Sequence, residues 1–181
     1  MSAIAQLVLA AIVAALLVTA CSRADRAATF ELRDDLNQPW SLEQQNRGII
    51  LVFGYTHCLD TCPLTLAKLL KALSQTGPSA EHALVAFVTV DPQRDTPSVL
   101  HAYLSRFGRQ FVGLTGTQSE IDSVEQRYNV WAQRLPAKNG AYDYDDAHSS
   151  TIFFIDRRHT IVSLRDPDDS IGDLVHAIRR L

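Results

Sequence analysis

Two runs constrain this chain more than anything else in it: Gly48-Ile-Ile-Leu-Val-Phe-Gly54 and Leu84-Val-Ala-Phe-Val-Thr-Val90. Neither alternates polar and apolar residues; both are nearly continuous in β-branched, aliphatic and aromatic side chains, the pattern of strands covered on both faces. Between them, Leu64, Leu66, Ala67, Leu69, Leu70 and Leu73 recur at near-helical spacing from Pro63 to Thr76, and Gly77-Pro78 is a stop signal. A second helix is predicted over 98–107, opened by Thr96-Pro97 and closed by Gly108. A buried strand, a helix, a buried strand and a helix form a βαβα unit, for which a right-handed crossover is expected.

The flanking elements complete a sheet. A first strand is expected around Thr29–Leu32, a turn at Asn37-Gln38-Pro39, a short strand at Val112–Leu114, and a helix over 118–128 carried by Ile121, Val124 and Tyr128. The stretch 136–147, rich in Gly, Asp and Tyr, reads as a loop or loose hairpin. Strands follow at 150–155 and 160–164, joined by a turn at 156–159. The last helix has Ser170 as its N-cap, Asp173 in its first turn and Arg179-Arg180 near its end, each suited to the local helix dipole. Alternating strands and helices closed by an antiparallel hairpin predict a thioredoxin-like three-layer α/β/α sandwich with a central mixed sheet, as one domain over 29–181.

The amino terminus carries a different signal. Ala3 to Ala20 is apolar except for Gln6 and Thr19 and holds no Lys, Arg, Asp or Glu. That is a membrane-targeting segment, at 1–21 either a cleaved leader or an anchor helix. Leu17-Val-Thr-Ala-Cys21-Ser22 places small residues before a cysteine and resembles a bacterial lipoprotein processing site, with Cys21 as the lipidated residue. Residues 22–28 are a tether, and the domain is expected outside the cytoplasm, at the periplasmic side of a bacterial membrane. The 17 basic and 20 acidic side chains, net charge -3, include no long basic run of the kind that binds nucleic acid.

The chemistry concentrates at Cys58-Leu-Asp-Thr-Cys62-Pro63, where a buried strand ends and a helix begins, the usual ligand-binding end of an open α/β sheet. Unpaired helix N–H groups and the dipole favour thiolate there. A spacing of i, i+4 lets the two sulfurs close a disulfide or open around one metal ion. A purely structural staple is the weaker use, because stabilisation by loop closure is smallest for short loops. Six histidines compete for the place of a third donor: His57, His82, His101, His148, His159 and His176. His57 adjoins Cys58 but is expected to point away. His148 stands at the edge of the 150–155 strand, expected to be central and to bring it beside the Cys58 turn. Periodicity does not choose among the six.

Three blocks do: Phe53-Gly-Tyr-Thr-His-Cys-Leu-Asp-Thr-Cys-Pro63, Val90-Asp-Pro-Gln-Arg-Asp-Thr-Pro97 and Asp145-Asp-Ala-His-Ser149 together resemble the SCO/SenC family of copper chaperones from about Thr29 to Leu181. The resemblance implies that Cys58, Cys62 and His148 bind one copper ion. Thiolates with imidazole suit Cu(I), and with a further donor Cu(II), whereas a closed zinc site wants a fourth ligand. It implies a partner as well, the copper-centre subunit of a haem-copper oxidase such as cytochrome c oxidase. Leu59 stands where the family usually has proline and Ala147 where aspartate is common. The block 91–97 is read as capping the following helix, with Arg94 paired to a carboxylate, ahead of the alternative, an active role for Asp91 beside the thiols.

Rival uses of the same cysteines are thiol-disulfide exchange, in which Cys58 and Cys62 form a redox-active pair, and a thiol peroxidase in which Cys58 is oxidised and Cys62 resolves it. Thiol exchange does not need His148, whereas tight copper binding does. The single methionine, Met1, argues against a methionine-based copper carrier.

Overall fold

The computed structural model describes residues 26–136 and 144–181. The apolar segment 1–21 and Cys21 lie outside them. Among the described residues no helix is long and apolar enough to cross a membrane.

The two buried runs are the middle of the molecule. Strand β3 (Gly48–Gly54) and strand β4 (Ala83–Thr89) pair in parallel over their whole length, from Gly48 opposite Ala83 to Gly54 opposite Thr89. Along β3 the side chains alternate between two cores: Ile49, Leu51 and Phe53 enter one, Ile50 and Val52 the other. Helix α1 (Thr61–Thr76) follows β3, and α2 (Pro97–Leu104) follows β4. Leu66, Leu69, Leu73, Leu100 and Leu104 cover the face of Ile50 and Val52.

Around this centre lie β1 (Glu31–Asp34), β2 (Pro39–Ser41), β5 (Phe111–Thr115), β8 (Ile152–Ile155) and β9 (Ile161–Arg165), giving one sheet in the order β2-β1-β5-β4-β3-β8-β9. Strands β3, β4 and β5 are mutually parallel and the outer pairings antiparallel, so the sheet is mixed. Helix α4 (Ile171–Ile178) joins α1 and α2 on one face, while α3 (Gln118–Arg127) packs Ile121 and Val124 on the other with Phe30, Phe53, Tyr128 and Phe153. This is the expected thioredoxin-like arrangement.

The helix signals act as anticipated. Thr96 accepts from the Val99 N–H, Ser170 and Asp173 form a reciprocal capping box, and α1 stops at Gly77, whose φ of 75° is left-handed. Thr117 and Glu120 make a second box that periodicity did not announce.

Several boundaries differ from expectation. Val112–Leu114 is no marginal strand: β5 is inserted between β1 and β4 and pairs with both. Pro39, read as the end of a turn, pairs with β1 together with Trp40 and Ser41, because the turn closes earlier at Asn37, whose φ is 61°. Helix α2 ends at Leu104 rather than Phe107. The central antiparallel strand starts at Ile152, so His148 does not sit at its edge. Instead His148 ends β7 (Tyr144–His148), which pairs with β6 (Ala132–Pro136) in a separate two-stranded ribbon, Ala132 opposite His148. That ribbon occupies part of the stretch expected to be loop or loose hairpin.

Leu66 is fully buried between α1 and the sheet. Leu66→Ala is expected to cost about 2–5 kcal/mol, the range for removing a buried leucine side chain. A urea midpoint displaced by less than the equivalent of 1 kcal/mol would show that α1 is not docked through this residue.

Candidate thiol and imidazole site

Strand β3 delivers the chain to a turn, closed by the Cys58 N–H to the Tyr55 carbonyl at 3.3 Å. Asp60 holds the cap position of α1 but makes no side-chain cap. The Cys58 sulfur takes that part: the Cys62 N–H in the first helical turn points at it, 3.4 Å away. Cys58 therefore lies before the helix and Cys62 on it, a correction to the picture of two residues on one helical face. Cys58 is partly exposed and Cys62 buried, and the two are unlinked.

Gly54 explains how close the buried thiol comes. A Cβ on Gly54 would stand 2.7 Å from the Phe87 ring and 2.9 Å from the Cys62 sulfur, so only glycine leaves room for both. His148 arrives from the ribbon, its Nε2 3.7 Å from the Cys62 sulfur. Its Nδ1 is 2.9 Å from the Ser149 carbonyl oxygen, and since a carbonyl only accepts, Nδ1 carries the proton and Nε2 turns its lone pair toward the thiol. Tyr55 packs edge-on against the imidazole, ring centroids 5.9 Å apart.

The thiols are not equivalent. A hydrogen bond from the Cys62 thiol, helped by the Cys62 and Asp60 backbone, brings Cys58 down to about 5 against burial that pushes it up. The same hydrogen bond, with burial and the charge on Cys58, drives Cys62 far above an ordinary thiol. At neutral pH the pair is thus a thiolate at Cys58 held by a protonated Cys62.

Below the turn lies a group that periodicity did not single out. Asp95 is fully buried and its carboxylate accepts from the Thr56 N–H at 3.0 Å, the Thr56 hydroxyl at 2.6 Å and the Thr89 hydroxyl at 2.7 Å. Burial pushes its carboxyl up, and those hydrogen bonds pull against the push. His57 turns its Nδ1 toward the Thr56 hydroxyl, 3.2 Å away, and lies 3.8 Å from Asp95. Of the remaining histidines, His101 meets Asp35 and His159 meets the Gln45 carbonyl, both remote from the thiols in contact terms.

The family model described as SCO1/SenC matches residues 19–181. The chain belongs to that family. It is 34% identical over 128 residues to an SCO2-like protein of Rickettsia felis, a match taking in 70% of this chain and 62% of that one. The chain spans 62–63% of the length of the Rickettsia relatives it matches. Among solved structures it resembles copper-bound ScoI of Arabidopsis thaliana, with a TM-score of 0.79 and 28% identity over 85% of this chain and 96% of that one. It likewise resembles copper-bound ScoI of Bradyrhizobium japonicum, with a TM-score of 0.76 and 31% identity over 86% and 98%.

The SCO1/SenC fold thus brings Cys58, Cys62 and His148 to one place. Bonds of ~2.3 Å from sulfur and ~2.1 Å from nitrogen, as in thiolate-imidazole metal sites, span a separation of the size seen between Cys62 and His148. Among the described residues no group of three or more His, Cys, Asp or Glu side chains is already closed as a metal site.

The pH dependence of alkylation checks the thiol asymmetry. Cys58 is the charged form above about 5, so its reaction with iodoacetamide is expected to persist at mildly acidic pH and to fall only as pH drops through about 5. Cys62→Ala removes the donor that stabilises the thiolate and is expected to move that midpoint up toward an ordinary thiol. A parent profile with its midpoint near 8 to 9, the usual range for cysteine, contradicts the assignment.

Proposed function

We propose that this protein binds copper on Cys58, Cys62 and His148 outside the cytoplasm and hands it to the copper centre of a haem-copper oxidase during assembly of that enzyme. The observation carrying the reading is the convergence of two thiols and one imidazole from elements far apart in sequence, with Nε2 of His148 presented toward Cys62 at 3.7 Å. Soft sulfur donors with imidazole select Cu(I). Relatives of 28% and 31% identity have been solved with copper bound. Loading expels the Cys62 proton, and delivery proceeds by exchange of these donors for those of the acceptor, which requires both cysteines reduced. In this reading residues 29–181 are the copper domain, tethered through 22–28 by the segment 1–21 at the membrane, with Cys21 as the lipid attachment point.

Thiol-disulfide exchange is the second reading, favoured by the thiolate at Cys58. It would run by attack of Cys58 on a partner's disulfide and resolution of the mixed disulfide by Cys62, the partner leaving with two thiols and this chain with a Cys58–Cys62 disulfide. In the mixed disulfide Cys58 carries no charge and no longer takes the Cys62 proton in a hydrogen bond, so of the causes that raise Cys62 in the free dithiol it is burial that still opposes the second step.

Anaerobic Cu(I) titration of the reduced protein separates the two. One tight equivalent is expected in the parent, and Cys58→Ser, Cys62→Ser and His148→Ala should each weaken it by about a hundredfold or more, because losing a ligand costs at least as much as losing a residue that only orients one. Parent-like affinity in His148→Ala would remove the third donor and leave thiol exchange as the better account. For the tether, Cys21→Ser is expected to release the protein from the membrane fraction; retention there would assign anchoring to the apolar segment itself.

A further inference from the structure

We propose that the segment Asp91–Asp95 is a positioning brace for the copper donors, Asp95 fixing the thiol turn and Arg94 fixing the imidazole. It rests on the reading of Cys58, Cys62 and His148 as those donors.

The ordinary use of Asp-Pro-Gln-Arg-Asp-Thr-Pro before a helix is capping, and here that duty is already filled. Thr96 caps α2 through the Val99 N–H, with Pro97 in the first turn. Asp91 and Asp95 are nonetheless fully buried, a costly location for carboxylates unless each has a defined partner. Asp95 spends its acceptors on Thr56, through both N–H and hydroxyl, and on Thr89. Thr56 lies inside the turn that the Cys58 N–H closes on Tyr55, so the place of the Cys58 sulfur follows from where Asp95 holds Thr56.

The second arm starts at Asp91, whose carboxylate accepts from Arg94 Nε. That pairing sets the guanidinium over the Tyr55 ring, 5.8 Å from its centroid. Tyr55 in turn meets His148 edge-on with an interplanar angle of 85°. The segment is itself stiff: the Asp95 and Arg94 N–H groups donate to the Asp91 carbonyl at 2.9 and 3.2 Å, and the Asp91 N–H donates to the Thr89 hydroxyl at 2.9 Å. One short segment after β4 thus reaches both donor sets without supplying a donor.

The test uses the whole reduced chain and three readouts: Cu(I) affinity against a chromogenic Cu(I) chelator, the dithiol-disulfide equilibrium against glutathione without copper, and thermal unfolding. Asp95→Asn is expected to weaken Cu(I) roughly tenfold or more and to shift the glutathione equilibrium, since an amide nitrogen cannot accept from either threonine. Thr56→Val should move both in the same direction by less, and combining the two should add little, because they remove shared contacts. Thr96→Ala, which removes only the cap, should lower the unfolding temperature and leave both chemical readouts at parent values. Arg94→Met should weaken Cu(I) in the parent but not in a His148→Ala background. Folded Asp95→Asn and Thr56→Val variants with parent values for affinity and glutathione equilibrium would overturn the brace. If Asp95→Asn does not fold, Thr56→Val decides. A parent that binds no Cu(I) sinks the copper reading, whereas the glutathione equilibrium of the same variants still decides whether Asp95 sets the thiols.

Discussion

The parallel pairing of β3 with β4 is the constraint on which the rest depends. Its register brings Gly54 level with Thr89, and the Val90 N–H extends it by one more bond to the Gly54 carbonyl, 2.9 Å. Two chain segments therefore leave the sheet side by side at the same edge. One becomes the cysteine turn and the other Asp91–Asp95. Each is closed by turn hydrogen bonds of its own, and the two are joined at Asp95, where Thr56 from the first and Thr89 from the end of β4 converge. Burial of the carboxylate makes this interaction specific, because a displaced Thr56 would leave charged oxygens without a donor in an interior that solvates them poorly.

The asymmetry of the thiols grows from the same architecture. Because α1 begins only at Thr61, Cys58 stays in the turn, partly exposed and lying where the first helical N–H groups point, while Cys62 is carried one turn inward under Gly54 and Phe87. A single sulfur-to-sulfur hydrogen bond then acts in opposite senses on its two ends. It stabilises the charge on Cys58 and keeps the proton on Cys62. The partly exposed sulfur is the ionised one, ready to meet an incoming soft cation, and the buried sulfur and imidazole stand behind it.

Much of this was readable in the residues. The unbroken runs at 48–54 and 84–90 announced central parallel strands, and the leucine spacing between them announced a helix, because burial on both faces and on one face leave different periodicities. The cysteines were readable by position, at a strand end. His148 was not readable by periodicity. It lies on the β6–β7 ribbon, outside the central sheet, and only the resemblance in residues 145–149 marked it out. Asp95 left a faint signal: a polar Thr89 at the end of an otherwise apolar strand, and Thr56 just beyond another, each with a hydroxyl to satisfy. Their common partner could be found only once the strands were side by side.

Leu59 shows why a brace from outside the turn matters in this chain. Where the resemblance leads one to expect proline, leucine stands, 78% exposed. A proline would restrict the turn from within, by limiting its own φ and the conformation of the residue before it. Without it, the conformational freedom between Cys58 and Asp60 must be removed by contacts, among them the Cys58 N–H to Tyr55, the Cys62 N–H to the Cys58 sulfur, the Leu64 N–H to the Asp60 carbonyl, and Asp95 through Thr56. The first three span 3.3–3.4 Å, whereas Asp95 holds Thr56 at 2.6 and 3.0 Å. The shape of the turn, and with it the separation of the donors, accordingly leans on the buried carboxylate more than it would in a relative that keeps the proline.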